Sequence, residues 1–136
     1  PAACLPAMVI GLIVLFWVGG FDIIYACQDA VFDKEAKLKS VPAKLGVRNA
    51  LRVAAGSHFV MIGCLLLLPN VHYLGGPELA LGWIYYTTVG AVAILLCYEH
   101  SVVNANDLTK VNIAFFNVNS IISVGLFLIV SLELLI

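Results

Sequence analysis

The chain has 136 residues, of which 62% are hydrophobic and 11% charged, a net charge of −1 and a mean hydropathy of +1.06. A soluble domain carries roughly 45–50% apolar and about 25% charged residues, so this composition excludes a water-soluble enzyme, a disordered segment and a collagen-like repeat. Four cysteines without a C-x-x-C pair exclude a disulfide-stapled module as well. What remains is an all-α polytopic membrane helical bundle.

The apolar runs predict four spans, each near the roughly 20 residues a crossing helix needs. The first covers 3–21 and continues as a helix into charged sequence. A second covers 50–68 and stops at Pro69-Asn70, a third covers 79–98 after Gly75-Gly76-Pro77, and a fourth covers 113–136. Of the fifteen charged residues, ten lie between Asp22 and Arg52. Charge is costly in lipid, so this block is where chemistry is expected. Six of the seven Lys and Arg fall between 34 and 52, and the seventh is Lys110 in the loop after the third span. With four spans both loops share one side, which the positive-inside rule makes cytoplasmic. The chain begins with proline almost inside a span, and it reads as a piece of a longer protein.

Asp22, Tyr25, Asp29 and Asp33 stand at i, i+3, i+7 and i+11. At about 100° per residue they fall at about 0°, −60°, −20° and +20°, one stripe on one helix face. Aligned carboxylates repel one another, so the stripe makes sense with a cation over it. Magnesium uses one or two carboxylates and completes its shell with water and substrate phosphates. Asp29 and Asp33, one turn apart, suit it, and Lys34, Lys37, Lys39, Lys44, Arg48 and Arg52 supply the positive charge a diphosphate needs. The alternative is an interfacial helix end whose acids are solvated and whose basic residues meet lipid headgroups.

The stretch from Trp17 to Gly46, W-V-G-G-F-D-I-I-Y-A-C-Q-D-A-V-F-D-K-E-A-K-L-K-S-V-P-A-K-L-G, resembles the second aspartate-rich region of the UbiA family of intramembrane aromatic prenyltransferases. Within that family it looks most like 4-hydroxybenzoate polyprenyltransferase and its menaquinone-pathway relatives. Tyr98-Glu99-His100, Asp107-Leu108, and Val111 to Phe116 followed by Asn117 to Ser120 carry the resemblance onward. It implies a fold of about nine helices, of which residues 1–136 form the C-terminal half, with a cytoplasmic catalytic loop at about 29–49. It implies Mg2+ held by Asp29 and Asp33, a cavity lined by Tyr25 and Asp22, and a diphosphate met by Lys39 with Lys37 beside it. Asp22 would orient the aromatic substrate or accept the ring proton. The implied reaction moves a prenyl group from a polyprenyl diphosphate to an aromatic acid in ubiquinone or menaquinone biosynthesis, at the inner (cytoplasmic) membrane of the cell.

Two departures stand out. Ala26 occupies a position where some members carry an extra acid, and the first aspartate region, of N-D-x-x-D type, is absent. The expected partners are therefore the two substrates, membrane lipid and a missing N-terminal half with that first motif; no nucleic acid is expected. The fragment alone is expected to be inactive. A CDP-alcohol phosphotransferase is disfavoured, because neither its D-G step nor the following A-R occurs. A non-catalytic membrane subunit or transporter half would account for the spans, though not for the stripe.

Overall fold

The computed structural model describes residues 2–135, the side chains of 113–115 and 134 excepted. Helix α1 (Leu5–Ala26) carries Pro6 in its first turn, where a missing N–H leaves nothing unsatisfied. Its 22 residues span about 33 Å at 1.5 Å per residue, enough for a hydrocarbon core of about 30 Å. A 3-10 turn at Cys27–Asp29 joins it to α2 (Ala30–Glu35), so that Ala2–Glu35 is one rod. Ser40 caps the short α3 (Val41–Leu45) by accepting the Ala43 amide at 3.3 Å. Gly46, at φ +77°, turns the chain into α4 (Val47–Leu67). A 3-10 segment, Leu68–Leu74, then ends at Gly75 with φ +83°. Both glycines hold a backbone conformation that a side chain would strain.

The next helix corrects an expectation. Residues 76–82 are not helical, and α5 runs from Trp83 to Val102 instead of covering 79–98. Pro77 and the extended Gly82 delay its start, and it continues far enough to take Glu99 and His100 into the helix. After a loop the last rod opens as a π-helix, Ile113–Val118, and becomes α6 (Asn119–Leu135). Among the described residues three helices are long and apolar enough to cross a membrane: Ala2–Glu35, Val47–Leu74 and Phe116–Glu133. Helix α5 has the length for a fourth. Having lost Leu79 to Leu81 and gained Glu99 and His100, it lacks the apolarity.

α1 lies along α4 for most of its length, and α5 bridges α4 and α6. Between them Val9, Ile13, Met61, Leu65, Tyr85 and Val92 form the main core. Tyr85, which its position near a span end marks as an interfacial anchor, is instead fully buried and donates to the Leu65 carbonyl at 2.9 Å. A second cluster, Ile24, Ala54, Val103 and Val111, brings the loop after α5 beside the polar end of α1. At the opposite end Glu133 accepts the Gly82 amide at 3.3 Å. Much of the surface along the helices is hydrocarbon: Phe59 is 80%, Ile94 71% and Phe127 70% exposed. In water such a surface aggregates; against lipid tails it is the stable arrangement.

Candidate active site

Helix α1 has two faces with different occupants. Val9, Ile13, Gly20 and Ile24 are buried, at the spacing that keeps one stripe turned inward. Taking Gly20 as zero at 100° per residue, Asp22 lies at about 200°, Asp29 at about 180° and Tyr25 at about 140°. The acids therefore stand on the outward face. Asp22 and Asp29 are exposed, and so is Tyr25. The same face bears Val18, Leu15 and Met8 in the turns below, all exposed. One strip of helix thus passes from bare hydrocarbon to carboxylate.

The strip is not straight. The 3-10 turn at Cys27–Asp29 winds the chain about 20° further per residue than an α-helix, so Asp29 and Asp33 are both carried about 60° past their extrapolated places, with Asp29 still on the outward side. Asp33 is half-buried where Asp29 is exposed. Asp29 occupies the N-cap position of α2 without a capping hydrogen bond, so its carboxylate is not used there. The rod ends in a Schellman motif: the Leu38 amide donates to the Asp33 carbonyl at 2.8 Å and the Lys37 amide to the Lys34 carbonyl at 3.3 Å. Lys37 fills the left-handed position, at φ 57°, which glycine ordinarily takes. Lys37 and Lys39 are both exposed on the turn that ends the acidic rod. Nearby, Lys34, Glu35 and Lys44 line an open groove of about 570 Å³ between α2 and α3.

Asp29 and Asp33 are hard oxygen donors four residues apart at the polar end of the rod. Among the described residues no group of three or more His, Cys, Asp or Glu is gathered to hold a metal ion. A two-carboxylate set fits magnesium, which takes its remaining ligands from water and phosphate, and does not fit zinc, which wants three or four protein ligands.

Behind the acids lies a polar network that sequence reading missed. His58 of α4 and His100 of α5 are hydrogen-bonded, Nδ1 to Nε2, at 3.0 Å. The other His58 nitrogen, Nε2, donates to the Trp17 carbonyl at 3.3 Å. Trp17 Nε1–H in turn donates to Asn119 Oδ1 of α6 at 2.9 Å. Four helices are joined by these three bonds. Glu99, next to His100, is fully buried with neither carboxylate oxygen hydrogen-bonded among the described residues. The sequence held one signal for the network, the Gly19-Gly20 pair, since a glycine inside a span marks close approach.

The family model of the UbiA prenyltransferase family matches residues 2–121. The chain belongs to this family. The match takes in α1 to α5, the π-turn and the first turn of α6, and with them every residue of the acidic strip and the basic turn. No curated protein matches the chain, and no solved structure does. Membership of the UbiA family makes the protein a membrane-embedded prenyltransferase, and prenyl transfer to aromatic acceptors is the chemistry of the family in general.

Proposed function

We propose that the protein transfers a prenyl group from a polyprenyl diphosphate to an aromatic acid such as 4-hydroxybenzoate, in ubiquinone or menaquinone biosynthesis. The observation that carries this reading is the outward strip of α1, with carboxylates at one end and Val18, Leu15 and Met8 beneath them. That is the outline of an amphiphile with an anionic head and a hydrocarbon tail. A diphosphate cannot approach carboxylates unaided. Asp29 and Asp33 would hold Mg2+, which when bound neutralises charge developing on the leaving diphosphate.

Lys39 and Lys37, on the turn that closes the rod, bind the outer diphosphate oxygens as point charges. The allylic C–O bond breaks and its electron pair leaves with the diphosphate. A ring carbon activated by its phenolic oxygen supplies the pair for the new C–C bond, and the ring proton is lost. Asp22 and Tyr25, one to two turns deeper than Asp29, face the reacting carbon; Asp22 orients the ring or takes its proton. Val18 and Leu15 exclude the water that would otherwise quench the allylic cation to an alcohol. On this reading residues 1–136 form the C-terminal half of a domain of about nine helices, whose other half brings a second acidic motif. The catalytic turn faces the cytoplasm from the inner membrane.

The test is magnesium-dependent prenylation of 4-hydroxybenzoate by membranes carrying the full-length protein. Asp29→Ala and Asp33→Ala are each expected to lower turnover by about 100-fold or more, the scale of losing a charge-stabilising group. Chelation of magnesium should do the same. Wild-type activity in either variant would overturn the metal assignment.

A further inference from the structure

Helix α4 carries a charged stripe that prenyl transfer leaves unused. Taking Arg48 as zero at 100° per residue, Arg52 lies at about 40° and Phe59 at about 20°, and all three are exposed. The buried residues Ala50, Ala54, His58, Met61 and Leu65 lie between about 200° and 280°. His58 is the side chain that meets Gly20 of α1, whereas Asp22 stands about 200° round α1 from Gly20. Arginines and acids thus point to different sides of the α1–α4 pair, and Arg48 and Arg52 are turned from the diphosphate proposed at Asp29. Nothing acidic on α4 offsets two like charges one turn apart. Arg52 is nonetheless held in place. Its Nη1–H donates to Asn49 Oδ1 at 3.2 Å, and Asn49 Nδ2–H donates to the Leu45 carbonyl at 3.1 Å. The other N–H donors of the guanidinium remain open to a partner. One turn below, Gly56 is exposed, with nothing within 4 Å of the place a Cβ would take. Phe59 follows about 11 Å below Arg52, within a leaflet whose hydrocarbon is about 15 Å deep.

We propose that this face of α4 binds one anionic phospholipid, its phosphate held by Arg48 and Arg52 and an acyl chain lying over Gly56 and Phe59. Charge complementarity selects the head. Arginine meets phosphate as a planar fork with two parallel bonds, where lysine offers only a point charge. A zwitterionic headgroup would bring a cation of its own against the two arginines, and a headgroup of net negative charge does not. The order of groups along the helix selects a lipid over a soluble anion. Below the arginines the face is an open notch at Gly56 and then a bare aromatic ring, which a free phosphate leaves uncovered and an acyl chain covers. The site shares no residue with the prenyl-transfer reading and stands without it.

The test is a lipid titration of the full-length protein, read by native mass spectrometry from detergent. Phosphatidylglycerol and phosphatidylcholine with identical chains are the probes, and glycerol 3-phosphate supplies the head without its tails. The wild-type protein is expected to bind phosphatidylglycerol about 30-fold more tightly than phosphatidylcholine, the scale of two cations beside an anionic group. Arg48→Gln/Arg52→Gln should remove that preference, while phosphatidylcholine binds as before and the melting transition is kept. Lys34→Gln/Lys110→Gln takes as much charge from the same membrane face and should leave the preference intact. An equal loss in the lysine variant, or a preference that survives in the arginine variant, overturns the site. So does a wild-type protein that binds both lipids alike. Displacement of phosphatidylglycerol by equimolar glycerol 3-phosphate overturns the lipid as occupant and leaves a soluble anion in its place.

Discussion

A methyl group at Gly20 would run into the imidazole of His58, which is fixed from both sides by His100 and the Trp17 carbonyl. Two effects compete in Gly20→Ala. Helix propensity favours alanine by about 1 kcal/mol. Overpacking costs about 1–3 kcal/mol, and the displaced histidine forfeits hydrogen bonds of about 0.5–1.5 kcal/mol each. The loss wins, so Gly20→Ala is expected to lower thermal stability, and pairing it with His58→Ala should recover part of the loss in the same melting assay. Lys37 gives the opposite case. Its left-handed backbone suits glycine better, so Lys37→Gly should keep or raise stability by up to about 1 kcal/mol. If its ammonium meets the diphosphate, the same variant raises KM for the prenyl diphosphate. A variant that melts higher yet keeps its KM would remove Lys37 from the proposed site.

At the scale of elements, local signals set the ends of helices more than their middles. Ser40 and Gly46 delimit α3, and Pro77 with Gly82 keeps 76–82 out of α5. The loop before the last rod is organised by Asp107, whose carboxylate accepts the Thr109 hydroxyl at 2.6 Å and the Thr109 amide at 3.0 Å. Those bonds, the hydroxyl's first, hold the Asp107 carboxyl below its usual 3.8. A carboxylate whose folded pKa is depressed contributes order above its unfolded pKa and loses it as pH falls through the folded one. Protection of the Thr109 amide from hydrogen exchange should therefore survive acidification to about pH 3.8 and fade only below it. Thr109→Val should bring that loss to higher pH.

For the whole molecule, the arrangement of polar ends makes a topological statement. The acidic rod's end and the loop at 103–110 meet through Ile24, Ala54, Val103 and Val111 and through Gln28 and Asn112, while Tyr73 and Glu133 belong to segments at the other end. Cysteines placed at Lys39 and Lys110 are expected to react with an impermeant maleimide from the same side of a sealed vesicle, and one at Tyr73 from the other. Labelling of Lys39→Cys and Lys110→Cys from opposite sides would overturn the shared face.

The acidic strip was legible in the sequence because the helical period alone puts Asp22, Tyr25 and Asp29 on one face. Its bend at Cys27–Asp29 was not, since that 3-10 turn has no Pro or Gly to announce it. Three of the four expected spans keep their apolar length, and the third loses its start to Pro77 and Gly82. Composition and periodicity, which are properties of the chain itself, determined that the protein is an all-α membrane bundle with its charge gathered at the acidic rod. They determined too that the acids share one helix with hydrocarbon below. Only the tertiary structure decided what stands beside what: His58 against His100, Tyr85 inside the core, and Trp17 tied to Asn119 across a groove. A helix in lipid is apolar on every side, so its sequence carries no stripe that says which neighbour it meets. That choice is made by close packing at Gly20 and by hydrogen bonds between residues 20 to about 100 positions apart.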